Sequence, residues 1–268
     1  MRQSYYFSVL VLRAMKIRVL GAFGAEGLGH RPSAFLVNDR TLIDAGTVSS
    51  TLTVPEQLSI EHALISHSHL DHVAGLVYLS ETLGFCENGA AVTITGIDHV
   101  VSTLRWGVFN NVLWPDFSKI PHADVPVVKY RTLVEDVEQR VGDLWVTPVQ
   151  VNHSVPTTGF IVHDGSSGVI YSGDTGPTEA LWNTARGLQG LRAVILECAF
   201  PNRLGPLAEV AKHLTPALIR RELDKLPGNL PVLIYHVKPQ FHEEIAEELE
   251  RIGGGRVSIL EQDRTYAV

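Results

Sequence analysis

The chain has 268 residues, 45% of them hydrophobic and 19% charged, a balance that excludes a disordered chain. Its formal net charge of −7 argues against a nucleic-acid surface, which needs a basic stripe. No apolar run reaches membrane-helix length, and two cysteines, Cys86 and Cys198, make no disulfide framework, so a cytoplasmic setting is expected.

Residues 1–14 carry a short apolar core after Arg2, broken by Arg13 and followed by no small-residue cleavage site. They are taken as a leader of uncertain status, with Met15 a natural start; a genuine signal segment there would make the protein periplasmic. Residues 15–268 are read as one domain.

Residues 16–20 predict a first strand, followed by a glycine-rich loop over 21–29 that lacks a dinucleotide fingerprint. Residues 33–37 and 41–44 predict a hairpin turning at Asn38, and Asp44-Ala-Gly46 turns toward a short helix near Pro55. The apolar run at 62–66 predicts a buried strand, and residues 73–80 a helix. Beyond it come a strand at 91–95 and a helix at 97–106, with Asp98 as its cap. Trp106, Phe109, Trp114 and Phe117 then cluster around Pro115, either as a cap over the core or as rings on which a base could stack. Asn111 and Trp114 are taken as substrate contacts.

In the second half, strands are predicted at 144–151, 159–163, 168–172, 192–197 and 231–235. Helices are expected from Pro177, from Thr215-Pro216, where Thr caps and Pro opens the first turn, and over 239–251. Glycines at 253–255 stop the last helix, and residues 256–260 are expected to close the chain as an edge strand.

The organising stretch lies between strand and helix: His67-Ser-His-Leu-Asp-His72. Residues two apart in an extended segment face the same side, so His67 and His69 can grip one ion. Asp71 and His72, at the helix start, turn toward a second position. His153, Asp174, Glu197 and His236 stand at the ends of later strands, where a sheet edge gathers functional groups. His67, His69, His153 and Asp174 are expected to hold one ion. Asp71, His72 and His236 would hold the other, with Asp174 bridging. Imidazole and carboxylate ligands suit zinc first, with manganese or iron as alternatives. Two such ions would carry a bridging hydroxide as nucleophile, and Asp71 could orient it.

This pattern resembles the metallo-β-lactamase superfamily over nearly the whole chain. The resemblance implies an α+β fold, a four-layer αββα sandwich of two mixed sheets flanked by helices. Within it, the stretch from His67 to Leu76, with Leu113-Trp-Pro-Asp-Phe117, Ser172-Gly-Asp-Thr-Gly176, His213-Leu-Thr-Pro216 and His236-Val-Lys-Pro239, is similar to the class II 3′,5′-cyclic-nucleotide phosphodiesterases. Tyr78 and Glu81 depart from that pattern. The likeness implies hydrolysis of cyclic AMP or cyclic GMP to the 5′-monophosphate. His213, just ahead of a helix start, is then the candidate proton donor, and Glu197 would orient its ring and raise its pKa. The expected partner is a small cyclic nucleotide, with no nucleic acid and no membrane; a homodimer stays open. The alternatives are a tRNA 3′-processing phosphodiesterase and a lactonase or thioesterase on the same scaffold. Arg105, Lys119 and Lys238 are candidates for phosphate or ribose contacts, with solvated surface the first reading of each.

Overall fold

The computed structural model describes residues 14–86 and 90–268; the leader, apart from Ala14, lies outside them. Six strands come first: β1 (Lys16–Gly21), β2 (Ala34–Val37), β3 (Thr41–Ala45), β4 (His62–Leu64), β5 (Val92–Gly96) and β6 (Val128–Thr132). Seven follow: β7 (Gln139–Val141), β8 (Leu144–Gln150), β9 (Thr158–His163), β10 (Gly168–Tyr171), β11 (Leu191–Glu197), β12 (Val232–Tyr235) and β13 (Val257–Ile259). The last strand, β14 (Thr265–Ala267), returns to pair antiparallel with β1. Two seven-stranded sheets result, ordered β14-β1-β2-β3-β4-β5-β6 and β13-β12-β11-β10-β9-β8-β7.

The layers follow from side-chain alternation. Along β11, Ala193 and Ile195 enter the core between the sheets, whereas Val194 and Leu196 face outward onto helices. Ile17 and Val19 of β1, Phe35 of β2, and Phe160, Tyr171 and Tyr235 of the second sheet fill the same inner core. On the outer face of the first sheet pack α1 (Val54–Leu58), α2 (Leu70–Gly84) and α3 (Asp98–Thr103). On the outer face of the second pack α4 (Ala180–Ala185), α6 (Pro216–Leu223) and α7 (His242–Gly253), while α5 (Gly205–Ala211) precedes α6 on the surface. The order is αββα, the expected four-layer sandwich. Among the described residues no helix is long and apolar enough to cross a membrane.

Four local expectations need correction. Asp98 does not cap α3; Ile97 holds that position, and Asp98 sits in the first helical turn, where a carboxylate favours the helix dipole. The expected helix past 103 widens into a π-turn, Leu104–Val108. Residues 256–260 form an edge strand without closing the chain, because β14 follows. Of the aromatic group, Phe109 and Phe117 are buried and Trp114 packs on their core, but Trp106 is 79% exposed. Sequence reading missed β6 and β7, whose polar residues hide the strand period, and α5, which buries only Ala208.

Candidate metal centre

Strand direction decides where the site lies. β3 and β4 are parallel neighbours, as are β10, β11 and β12, and β8 runs the same way as β10 across the antiparallel β9. Within each sheet these C-terminal ends share one edge, and at or just past them stand Asp44 and residues 66–72 in the first sheet and His153, Asp174, Glu197 and His236 in the second. His69 occupies the N-cap position of α2 in an extended conformation, so the chain enters the helix at Leu70 with Asp71 and His72 in its first turn. Close packing holds this geometry. A Cβ on Gly46 would sit 2.0 Å from the Asp71 carbonyl oxygen, and one on Gly24 would sit 2.7 Å from Nε2 of His236.

Seven side chains offer ligand atoms in two groups, each within 4.8 Å of one another: His67, His69, His153 and Asp174, then Asp71, His72 and His236. Asp174 joins the groups, with Oδ2 3.1 Å from His236 Nε2 and 3.7 Å from His67 Nε2, and Oδ1 3.3 Å from His72 Nε2. His69 Nδ1 stands 3.1 Å from His67 Nε2 and 3.3 Å from His153 Nε2. Neighbouring ligands of a tetrahedral zinc ion, with bonds of about 2.0–2.1 Å, stand roughly 3.3 Å apart. His72 Nε2, Asp174 Oδ1 and His236 Nε2 are buried and lack hydrogen-bond partners. Buried polar atoms in this state cost free energy unless a cation or proton meets them. The donor set therefore fits divalent metal.

In four of the five imidazoles the other ring nitrogen is held by a partner that fixes the tautomer. Nδ1 faces Ser66 Oγ in His67 (3.0 Å), Ser33 Oγ in His236 (3.3 Å) and the Lys212 carbonyl in His153 (3.2 Å). His72 Nδ1 donates to Asp44 Oδ2 at 2.7 Å. Asp44 also accepts from Ser66 N, Ser66 Oγ and, across the two sheets, the Tyr171 hydroxyl at 2.5 Å. Sequence reading treated Asp44 only as part of a turn and passed over Ser33, Ser66 and Tyr171. Its one usable signal was an acidic residue ending a buried strand.

Burial holds His67 and His236 well below the usual imidazole pKa, with Asp174 opposing, and pushes His153 down to about 4. Neutral imidazoles are what a metal requires. His72 behaves oppositely: burial acts to lower its pKa, but Asp174 and Asp44 on its two sides push it well up. That pair of carboxylates demands positive charge on the Nε2 side, from a proton or from a metal ion.

Beside the cluster, His213 Nδ1 donates to Glu197 Oε1 at 2.8 Å, and Glu197 also accepts from Thr175 N at 3.0 Å. His213 stacks on His236 at 5.4 Å, and its ligand atom lies within 4.8 Å of those of Asp174 and His236. Burial would lower the His213 pKa, but the Glu197 carboxylate outweighs it and the net shift is upward. Burial raises Glu197.

Asn111 and Trp114 lie in the loop that follows the π-turn. Exposed Asn111 spends its side-chain oxygen on Asp116 N (2.9 Å), and Trp114 packs edge-on against Tyr78 at 6.0 Å with its Nε1 buried and unpartnered. Among the described contacts, neither touches the cluster. Lys119 pairs with Asp116 and Arg105 lies over the Tyr130 ring, but Lys238 does not point away into solvent. It donates to the Gly24 carbonyl and stands 3.9 Å from Asp71 Oδ2.

Comparison with known proteins agrees with this geometry. A profile of the family described as class-II cAMP phosphodiesterases matches residues 48–264. The chain is 25% identical over 291 residues to the "Probable 3′,5′-cyclic-nucleotide phosphodiesterase" of Yersinia pestis, covering 88% of this chain and 82% of that one. Unliganded yeast PDE1 superposes with a TM-score of 0.82 at 21% identity, over 96% of this chain and 100% of that one. The metallo-β-lactamase fold protein YhfI from Bacillus subtilis superposes at 0.76 and 20% identity, over 94% and 99%.

Proposed function

The chain belongs to the class-II cAMP phosphodiesterase family, and from that premise we propose that it hydrolyses the 3′,5′-phosphodiester of cyclic AMP or cyclic GMP to the nucleoside 5′-monophosphate. The observation that carries this reading is the Glu197–His213 pair set beside the His/Asp cluster, a proton donor next to a metal site. The five imidazoles and two carboxylates would hold two divalent ions, zinc first, with manganese or iron as alternatives. Bound there, the ions would supply Lewis acidity to the phosphate oxygens and an acidified water as nucleophile.

The chain's own residues supply the rest. Asp71, whose side chain is 26% exposed, is the ligand open enough to hydrogen-bond the attacking water and aim it. As the P–O3′ bond breaks, O3′ needs a proton. Glu197 raises the His213 pKa against the lowering effect of burial, which favours a proton on Nε2, and Nδ1–H···Oε1 fixes the ring. Trp114 and Asn111 are assigned to the nucleoside side of the substrate. Residues 15–268 are read as a single domain, and a homodimer is proposed as the assembly.

The test is hydrolysis of cyclic AMP and cyclic GMP by zinc- or manganese-loaded protein, with bis(p-nitrophenyl) phosphate and a simple lactone alongside. Turnover of a cyclic nucleotide to the 5′-monophosphate is expected. Lactone turnover alone would overturn the reading.

A further inference from the structure

Two residues past β12 the chain makes a tight detour. His236 adopts a left-handed backbone (φ 63°), and Val237 forms an isolated bridge with Phe23. Gly24 N donates to the Val237 carbonyl at 3.2 Å. The detour turns Lys238 inward. Its side chain is 22% exposed, its Nζ is held on the Gly24 carbonyl, and it lies 3.9 Å from Asp71 Oδ2. Asp71 is the least buried carboxylate of the cluster, at 26% against 2% for Asp174. The ammonium thus stands beside the more exposed carboxylate of the cluster.

Charge makes this placement informative. The two carboxylates of the cluster, with that of Asp44 behind His72, carry less negative charge than two divalent cations would bring. An ammonium fixed beside such a site is repelled, and like charges a few ångströms apart cost free energy at any realistic dielectric. A lysine with no role there could swing its flexible stem into water. Lys238 is instead tethered in place. An anion seated between it and the ions offsets the repulsion.

We propose that Lys238 is a phosphate-binding residue, its Nζ donating to a non-bridging phosphate oxygen of the substrate and, more strongly, of the dianionic 5′-monophosphate product. The identity of that phosphate rests on the function proposed above; the anion-binding role does not need turnover to be measured. The full-length, metal-loaded protein is titrated with inorganic phosphate and with 5′-AMP by calorimetry, for the native chain, Lys238→Met and Lys238→Arg, with metal content by elemental analysis. Lys238→Met should weaken both ligands roughly ten- to hundredfold, the range for losing a charged hydrogen bond. Metal content should hold, and Lys238→Arg should restore most of the affinity. Unchanged affinity for both ligands in Lys238→Met, or no phosphate binding by the native chain, overturns the proposal. Loss of bound metal in Lys238→Met overturns it in favour of a purely structural tether. Lysine-dependent phosphate binding in a protein that leaves cyclic nucleotides intact would sink the proposed substrate and spare this inference.

Discussion

Replacing Asp44 by asparagine tests whether a buried carboxylate outside the ligand set controls the metal centre. Asp44 is fully buried, and its Oδ2 takes three donors: Ser66 Oγ at 2.8 Å, His72 Nδ1 at 2.7 Å and Tyr171 OH at 2.5 Å. Oδ1 takes Ser66 N at 2.7 Å. In Asp44→Asn the amide oxygen keeps Ser66 N, and the NH₂ group replaces Oδ2. Both hydroxyls can rotate to accept from it. His72 Nδ1 can accept only by moving its proton to Nε2, which then points at Asp174 Oδ1, 3.3 Å away. The nitrogen that faced the metal would become a donor. Loss of a carboxylate behind a ligating histidine costs roughly 10- to 100-fold in metal affinity, about 1.4–2.7 kcal/mol. The fold should survive, with a melting temperature lower by about 2–4 °C for about 1 kcal/mol lost. Asp44→Ala should not survive: four buried donors lose their acceptor at about 1–3 kcal/mol each, against a total stability of about 5–15 kcal/mol. Calorimetric zinc titration of Asp44→Asn reads the result. Two sites of native affinity in a folded Asp44→Asn protein would refute the argument that Asp44 sets the His72 tautomer.

Other perturbations separate the parts of the site. His213→Ala should slow cyclic-nucleotide turnover by roughly 10²–10⁴ at unchanged metal content, and metal loss would mean that the ring serves as a ligand instead. Asp174→Ala, which removes the carboxylate shared by both groups, should lose bound metal; full occupancy by elemental analysis with normal turnover would sink the binuclear assignment. Glu197→Gln removes the charge that raises His213, whose donor form exists below its pKa. The alkaline limb of kcat should therefore move to lower pH, and an unmoved limb would show that another group donates. Gly24→Ala would press a methyl group against the His236 ring; lowered metal affinity is expected, and native affinity would mean that the loop gives way freely.

The His/Asp cluster was legible because the information is local. Three histidines and an aspartate packed into residues 67–72, between an apolar run and a helical period, announce a site without any tertiary contact. His153, Asp174 and His236 were found by one more step, since each stands within three residues of the end of a strand whose apolar run is easy to see. The inner strands of both sheets, β1–β5 and β8–β12, were readable for the same reason, their apolar runs being set by burial. Edge strands β6 and β7 were not, because solvent on one side removes the pressure for an apolar pattern.

What the sequence could not decide is what each polar side chain meets. Asp44 reads as a turn residue until β3 is laid beside β4 and Tyr171 is brought across from the opposite sheet. Lys238 reads as surface until the loop at Gly24 closes over it, because a long flexible stem can serve solvent or site equally well. The return of β14 to β1 joins residues more than two hundred positions apart, a pairing that no local period encodes. Spacing and periodicity along the chain named the residues of the His/Asp cluster; the partners that orient them depend on long-range packing, and only the assembled sheets supplied it.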